Sequence, residues 1–305
     1  MELIKRLNID FIGNRYKFFA ITALFVAVTI GAFIYRGGPN YGIDFTGGIL
    51  MQVSFKNQVA MQDLRNSLEK SEIGSFELQS SENLFIIRAK RSLESQDAFD
   101  NAVKNAAQAD FPGNEMTVEK VEYVGPSVGE YLSKQALYAF FFAFLGMIVY
   151  VAFRFKSSLW GVAAVLGIVH DVAITLGFVI LVNKEINITV IAALLTIAGY
   201  SINDTIVLFD RIRENLKLLA KEDFASVINK SINQVLLRTV VTSVTVFIVA
   251  CSLFFFGGEV IHTFAYIMII GTALGTFSTI CLCTPIVYEW EVRKRNRLRA
   301  ARLAR

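Results

Sequence analysis

Residues 159–182 read LWGVAAVLGIVHDVAITLGFVILV, an apolar run whose polar members are His170, Asp171 and Thr175. A transmembrane helix needs roughly 20 mostly apolar residues to cross ~30 Å of hydrocarbon. Five further segments come near that length and composition: residues 18–35, 136–153, 186–209, 239–256 and 260–288. The sequence therefore predicts a membrane-embedded all-α bundle of six transmembrane helices.

The composition is typical of a membrane protein. Hydrophobic residues make up 54% of the chain and charged residues 18%, whereas soluble domains contain ~25% charged residues. The formal net charge of +4 gives no indication of nucleic-acid binding. Cys251, Cys281 and Cys283 all lie in apolar runs, so we predict no disulfide and no metal site. No motif in the sequence indicates a cofactor.

Lysine and arginine near the helix ends predict the orientation, because cytoplasmic loops are enriched in both. One side carries most of them: Lys5, Arg6, Arg15, Lys17, Arg154, Lys156, Arg211, Arg213, Lys217, Lys221, Lys230, Arg238, Arg293, Lys294, Arg295, Arg297, Arg299, Arg302 and Arg305. The short loops on the other side carry only Arg36 and Lys184. Both termini are therefore predicted to be cytoplasmic. The first helix is predicted to be an uncleaved anchor, because residues 36–39 lack an A-x-A cleavage pattern.

The region after the first helix shows alternating strand and helix patterns. Residues 49–55, 75–79, 84–89 and 116–124 have strand character, and residues 59–70 and 95–111 place apolar side chains at helical spacing. The order βαββαβ predicts a ferredoxin-like α+β domain, which would lie outside the cytoplasm between helices one and two. The domain holds no cluster of His, Cys or paired carboxylates, so we interpret it as an interaction domain.

These assignments divide the chain into five parts. They are residues 1–17 (cytoplasmic N-terminus), 18–35 (first helix), 36–132 (outer domain with its linkers), 133–288 (helices two to six, including a cytoplasmic amphipathic loop at 210–238) and 289–305 (basic cytoplasmic tail).

Two glycine-rich motifs flank the outer domain: GIDFTGG at 42–48 and VGPSVG at 124–129. Glycine supplies positive φ and proline fixes φ, so both motifs are typical of tight structural linkers. The residues concerned are Gly42, Asp44, Phe45, Gly47, Gly48, Gly125 and Pro126. The phosphate-binding pattern G-x-x-x-x-G-K-[ST] is absent.

Charged side chains at membrane depth cost roughly 2.5–3.5 kcal/mol each, even on lenient insertion scales. His170 and Asp171 lie midway along the third segment, and Asn203 and Asp204 lie near the cytoplasmic end of the fourth. Arg238 opens the fifth segment from the same side, so Asp204 and Arg238 are expected at similar depth. A carboxylate loses its bias towards the ionised form when a neighbouring arginine moves away. The pair is therefore a candidate gated proton site.

Structural interpretations stay open for several residues. Arg238 equally fits an arginine that snorkels to the interface, and His170 fits a neutral, hydrogen-bonded packing residue. Gly271 and Gly275, spaced as G-x-x-x-G, indicate close helix packing within this chain or with a partner. Residues 211–237 form an amphipathic stretch that fits either an interfacial helix or a lever joining helices four and five.

Together these motifs resemble the SecD/SecF family, a branch of the resistance–nodulation–division superfamily. The resemblance rests on GIDFTGG, VGPSVG, GYSINDTIV at 199–207 running into FDRIREN at 209–215, and the Arg238-Thr239 step. One transmembrane helix, an outer domain and five further helices form the half-unit of that superfamily. The resemblance covers nearly the whole chain.

The resemblance implies a role in protein export across the bacterial inner (plasma) membrane. It implies three protein partners: a SecD-like subunit that completes a twelve-helix arrangement, a SecYEG-type channel and the exported unfolded preprotein. It also implies that the proton-motive force promotes translocation. The proton pathway would then include Asp204 and Arg238 beside Asn203, with His170 and Asp171.

Three other functions stay open. A half-unit of a small-molecule or lipid exporter would share the fold, but it needs an outer cavity lined by aromatic residues. A purely structural subunit of the channel would tolerate the loss of Asp204 and Arg238. An intramembrane enzyme would need a Ser–Lys pair, an H-E-x-x-H motif or a Gly-x-Gly-Asp motif, and none occurs in the apolar segments. We therefore predict that the chain is not an enzyme.

Overall fold

The structure is a computed structural model that describes residues 8–71, 73–74, 76–81, 84–89, 96–155 and 158–303. Four of the basic residues in the orientation argument, Lys5, Arg6, Lys156 and Arg305, lie outside these residues. The chain forms two compact units, Met1–Asn40 with Ala139–Arg305, and Tyr41–Tyr138. We call them the helical unit and the sheet unit.

The helices and strands occur in the following order along the chain. They are α1 (Arg15–Arg36), α2 (Ile43–Thr46), β1 (Gly48–Phe55), α3 (Met61–Glu69), β2 (Phe76–Ser81), β3 (Leu84–Ala89), α4 (Gln96–Asp110), β4 (Met116–Val124), α5 (Pro126–Phe155), α6 (Ser158–Leu181), α7 (Ile188–Leu218), α8 (Phe224–Phe256), α9 (Glu259–Ser278), a π-helical turn (Thr279–Cys283) and α10 (Thr284–Leu303).

Six helical spans in the described residues are long and apolar enough to cross a membrane. The last span runs from α9 through the π-helical turn into α10. The prediction of six membrane-spanning helices in a multi-pass protein is confirmed. Only 6% of the most apolar stretch of α1, and likewise of α5, is buried, against 50% for α6 and α7 and 72% for the last span. Helices that are apolar and exposed nearly all round suit contact with lipid or another membrane protein.

The stretch predicted as an amphipathic loop, residues 210–238, is helical apart from one turn. α7 continues to Leu218, and α8 begins at Phe224 after Asp223, whose carboxylate accepts a hydrogen bond from the Ser226 N–H at 3.0 Å. The apolar side chains of both helix ends are buried in one cluster: Ile212, Phe224, Ile228 and Ile232. The apolar face therefore packs inside the helical unit, because two capped helices can bury it against each other, and no separate interfacial helix forms.

Two asparagines of α8 hold the segment that precedes α1. The side-chain oxygen of Asn229 accepts hydrogen bonds from the backbone N–H groups of Phe11 and Ile12, both at 3.0 Å. Asn233 accepts from the N–H of Ile9 at 3.0 Å and donates to its carbonyl at 2.9 Å. These bonds satisfy the backbone of a non-helical segment, so that Phe11 and Ile12 can be buried in the core of the helical unit.

Glycines let α9 approach α7 closely. A Cβ atom at Gly271 would lie 2.5 Å from Cγ1 of Ile197, and one at Gly275 would lie 3.3 Å from Cβ of Ser201. The G-x-x-x-G spacing therefore brings two helices of this chain together, which settles one of the alternatives that the sequence left open.

The sheet unit is a four-stranded antiparallel sheet of order β2-β3-β1-β4, with α3 and α4 on one face. The core between sheet and helices consists of fully buried apolar side chains: Met51, Val53, Leu64, Leu68, Ile87, Phe99 and Val103. Strand residues on this face recur at every second position and helix residues at every third or fourth, as a single buried face requires.

The imperfect alternation in the last strand comes from a β-bulge. Val53 pairs with Val118 and Gln52 pairs with Lys120, so Glu119 between them has no partner residue in the ladder on β1. The extra residue returns Val121, opposite Met51, to the face that carries Val118. The sequence spacing of three between the two valines is therefore compatible with one continuous strand.

The two glycine-rich motifs are folded parts of the sheet unit. Residues 43–46 form the short helix α2, Gly48 begins β1, and Pro126 begins α5, where proline is compatible with the first turn of a helix. Gly47 has a φ of 67°, and a Cβ atom there would lie 3.1 Å from Cα of Pro126. A Cβ atom at Gly129 would lie 3.0 Å from the backbone nitrogen of Gly47. The motifs therefore contain glycine because their backbones touch.

We expect Gly271→Ala to destabilise the helical unit by about 1–3 kcal/mol, because the added methyl group overlaps Ile197. Thermal unfolding of the purified chain in detergent measures this loss. The matched control is Gly146→Ala in α5, where nothing lies within 4 Å of the added atom. Alanine is the better helix former, so the control should unfold at the same or a higher temperature. Equal melting temperatures for the two variants would contradict the packing assignment.

Asp10 gives the docked N-terminal segment a pH dependence. Its carboxylate accepts hydrogen bonds from the Gly13 N–H at 2.8 Å and from Asn229 Nδ2 at 2.7 Å. Both bonds favour the ionised form and hold the pKa of Asp10 below its usual value of 3.8. A depressed pKa stabilises the folded state above the unfolded pKa, and this contribution is lost as the pH falls through the lowered value. We expect Asp10→Asn to lower the unfolding temperature at neutral pH and to match the wild type in strong acid. A difference that persists unchanged in acid would refute this role.

Candidate functional site

A buried carboxylate lies at the centre of the helical unit. Asp171, midway along α6, is 0% exposed and makes hydrogen bonds to three side chains. Ser201 of α7 donates to its Oδ2 at 2.5 Å, and Ser278 at the end of α9 donates to the same oxygen at 2.7 Å. Nδ1 of His170 lies 2.9 Å from its Oδ1. Both carboxylate oxygens are therefore engaged, as a buried charge requires.

His170 has one nitrogen left over. An ionised carboxylate only accepts hydrogen bonds, so Nδ1 carries the hydrogen when Asp171 is ionised, and Nε2 is then an acceptor in the neutral ring. Nε2 is buried and has no hydrogen-bond partner among the described residues. This hydrogen bond is compatible with both interpretations of His170, the neutral packing residue and the proton carrier.

Two glycines make room for this cluster. A Cβ atom at Gly275 would lie 3.7 Å from Oδ2 of Asp171, and one at Gly167, one turn before Asp171 on α6, would overlap Sγ of Cys283. Close approach of α6, α7 and the α9–α10 span at these points leaves no space for bulk water around the carboxylate.

The π-helical turn contributes one hydroxyl group, and α7 the other, to a second pair beside the cluster. Thr279 Oγ1 lies 2.8 Å from Thr205 Oγ1, and Thr205 in turn contacts the carbonyl of Ser201 at 3.2 Å. Thr205 and Thr279 are both almost fully buried. π-helical turns occur frequently at functional sites because the wide turn redirects side chains.

Asp204 is buried but not satisfied. It follows Ser201 by one turn on α7, is 5% exposed, and its Oδ2 has no hydrogen-bond partner among the described residues. A buried carboxylate without a partner costs several kcal/mol more than one in water. The molecule tolerates this cost at a position next to the Asp171 cluster.

Arg238 does not meet Asp204 in this structure. Arg238 is exposed on α8, whereas Val235 and Thr239 on either side of it turn into the helical unit. Among the residues that the structure describes, no ion pair or hydrogen bond joins Arg238 to Asp204. Similar depth in the membrane is necessary for contact between the two side chains but not sufficient. The rotation of α8 about its axis places Arg238 on an exposed face.

Asn203 also lies outside the buried cluster. It is exposed on α7 in a stripe with Thr196 and Gly199, and nothing lies within 4 Å of a Cβ atom built at Gly199. A polar and small stripe on a helix that is otherwise apolar needs a partner when the helix crosses a membrane.

Ser278 and Thr279 were not predicted as site residues from the sequence. A signal was present, since these hydroxyl residues belong to a run of Thr272, Thr276, Ser278, Thr279 and Thr284 in an apolar span. The hydroxyl groups of such residues usually bond to carbonyls of their own helix, so their presence alone does not indicate a functional site. Only the packing of this span against α6 and α7 shows which of them turn towards Asp171.

Two family descriptions match the chain. "Protein export membrane protein SecD/SecF, C-terminal" matches residues 103–293, and "SecD/SecF GG Motif" matches residues 34–59. The second match contains Gly47 and Gly48, whose close backbone contacts the sheet unit requires.

Relatives and solved structures agree with these matches. The chain is 68% identical over 301 residues to the protein translocase subunit SecF of Endomicrobium trichonymphae, covering 99% of this chain and 97% of the relative. It is 41% identical to SecF of Calditerrivibrio nitroreducens, covering 94% and 96%. The crystal structure of SecDF, a translocon-associated membrane protein from Thermus thermophilus, matches with a TM-score of 0.84 and 36% identity. That match covers 93% of this chain but only 39% of the SecDF chain.

The two carboxylates should respond differently to neutralisation. We expect Asp171→Asn to destabilise the chain by about 1.5–3 kcal/mol, because an amide cannot accept from all three partners. We expect Asp204→Asn to leave stability unchanged or to raise it by about 1 kcal/mol, because it removes a buried carboxylate with an unsatisfied oxygen. Thermal unfolding of both variants in the same detergent tests the contrast. A larger loss in Asp204→Asn than in Asp171→Asn would reverse the assignment of satisfied and unsatisfied sites.

Proposed function

The chain belongs to the SecD/SecF family of protein-export membrane proteins, and from this premise we propose that it is a non-enzymatic accessory subunit of Sec protein export. With a SecD-like partner it would use the proton-motive force to promote translocation of unfolded preproteins through a SecYEG-type channel. The family that the sequence motifs predicted is confirmed.

The observation that carries proton coupling is the unsatisfied Oδ2 of Asp204, one helical turn after Ser201, which donates to the hydrogen-bonded carboxylate of Asp171. A group that binds and releases protons must have two protonation states of similar free energy in the membrane, and a buried carboxylate without a partner approaches that condition. His170, with a buried free nitrogen, supplies a second group able to exchange a proton.

Arg238 has a role in this proposal that requires motion. An arginine close to a carboxylate stabilises its charge, so a change in the distance between Arg238 and Asp204 would couple proton binding to a rearrangement of α7 and α8. The present structure would then be the state in which the two are apart. Moving one charge through 100 mV supplies about 2.3 kcal/mol, so one or a few protons can shift a two-state equilibrium substantially.

The SecD-like partner fits the exposed stripe of Thr196, Gly199 and Asn203 on α7. The open space at Gly199 admits a neighbouring helix, and Asn203 offers it a hydrogen bond within the membrane. The chain spans 39% of the length of the Thermus SecDF chain, which leaves room for such a partner in the longer protein. Asn203 is thus proposed as a residue between the subunits, next to the proton pathway.

The sheet unit is proposed as a ferredoxin-like domain on the outer side of the bacterial inner membrane, with both chain termini cytoplasmic. The basic residues near the helix ends support this orientation. The βαββαβ order and the sheet order β2-β3-β1-β4 support the ferredoxin-like assignment.

The exporter alternative receives no support from the sheet unit. Its two described cavities, of about 430 and 470 Å³, contain one aromatic side chain between them, Phe111. The other lining residues are polar or small side chains together with Pro112 and Met116, whereas the exporter requires an outer cavity lined by aromatic residues.

The test is secretion by cells whose only copy carries Asp204→Asn. We expect secretion to fall to the level of cells without the subunit, while assembly with the SecD-like partner stays normal. Asp223→Asn is the matched control, because asparagine caps α8 as well as aspartate does. Full secretion with normal assembly in Asp204→Asn would refute proton coupling through Asp204 and favour a structural role for the subunit.

The arginine is tested in the same cells. We expect Arg238→Met to abolish the stimulation of secretion, and Lys217→Met, an exposed lysine near the end of α7, to leave it intact. Retained secretion in Arg238→Met would show that Arg238 only anchors α8 at the interface.

A further inference from the structure

The membrane span formed by α9 and α10 is interrupted where it passes the buried carboxylate. Residues Thr279–Cys283 form a π-helical turn in which every residue is buried. The hydroxyl of Thr284 donates to the carbonyl of Thr279 at 2.8 Å, which adds a bond to the backbone of the widened turn. A wide turn holds one residue more than an α-helical turn, so it sets the rotation of the side chains on either side of it.

Ser278, immediately before the turn, has a second acceptor besides the usual one of a serine in a membrane helix. Such a serine normally bonds to a carbonyl of its own helix. Ser278 is 3.2 Å from the carbonyl of Gly275 but only 2.7 Å from Oδ2 of Asp171, which is the better hydrogen-bond geometry by distance and the stronger acceptor. Its single hydrogen is therefore assigned to Asp171.

Ser278 is the one donor to Asp171 among the described residues that comes from the α9–α10 span. His170 belongs to the same helix as Asp171, and Ser201 belongs to α7. Ser201 and Ser278 approach the same oxygen from two helices, and they leave Oδ1 to His170. The two hydroxyl groups thereby fix the rotation of the carboxylate group, and its other oxygen, Oδ1, points to the imidazole of His170.

We propose that Ser278 is a positioning residue of the proton pathway, aimed at Asp171 by the π-helical turn. It holds the carboxylate so that Oδ1 faces His170, and it links the α9–α10 span to the protonation state of α6. This inference rests on the proposed proton coupling. The purely structural explanation is that the turn only fits Cys283 against Gly167; in that case the hydroxyl of Ser278 could be deleted without effect on Asp171.

The experiment uses the full chain assembled with its SecD-like partner. Infrared spectroscopy records the carboxylate stretching band of Asp171, identified as the band that disappears in Asp171→Asn. We expect Ser278→Ala to shift this band and to reduce the stimulation of secretion by about tenfold, the change in an equilibrium that loss of one hydrogen bond to a charged group produces. Ser278→Thr, which retains the hydroxyl, should restore both.

The matched control is Thr276→Val. Thr276 lies two residues earlier, and its hydroxyl bonds to Ser243 of α8 and not to Asp171. We expect its Asp171 band and secretion to equal those of the wild type. If Ser278→Ala does not assemble, Ser278→Cys fills the site with a similar shape and donates only weakly, so it gives the same comparison.

An unchanged band in Ser278→Ala or Ser278→Cys would overturn the proposal, as would equal shifts in Ser278→Ala and Thr276→Val. These results are independent of the secretion assay on Asp204→Asn. Normal secretion in Asp204→Asn with a shifted band in Ser278→Ala would refute proton coupling while leaving the hydrogen bond in place. Lost secretion in Asp204→Asn with an unchanged band in Ser278→Ala would refute only the role of Ser278.

Discussion

The burial of a carboxylate in an apolar bundle constrains the rest of the helical unit. A charge can remain in such an environment only when its oxygens are hydrogen-bonded, because the uncompensated cost is several kcal/mol. Asp171 meets this condition with His170, Ser201 and Ser278. The donors come from different helices, so α6, α7 and the α9–α10 span must approach one another at this depth, and Gly167 and Gly275 make the approach sterically feasible.

Asp204, one helical turn after Ser201 of this cluster, is also buried, but its Oδ2 has no hydrogen-bond partner among the described residues. Its unsatisfied oxygen costs stability. Strain and unsatisfied groups of this kind concentrate at working sites, where a group must be able to change state. The proposed proton pathway therefore contains two different carboxylates, the hydrogen-bonded Asp171 and the unsatisfied Asp204.

The sheet unit depends on a different constraint, which is close contact between backbones. The motifs that begin and end it meet at Gly47, Pro126 and Gly129, where a side chain on either glycine would strike backbone atoms. Sequence motifs that are typical of tight linkers here pack against each other through their backbones. Their glycines carry no chemistry, and they fix where the sheet starts and where α5 begins.

The sequence by itself determined the number of membrane spans, the βαββαβ order and the candidate residues Asp171 and Asp204, because length, hydropathy, periodicity and the cost of buried charge are all local properties. It did not determine the rotation of each helix, since helices that are apolar nearly all round have no periodic signal to indicate which face turns inward. Only the tertiary structure therefore decided that Arg238 lies away from Asp204 and that Ser278 donates to Asp171. It also decided that β4 has a bulge at Glu119, which keeps Val118 and Val121 on the core face.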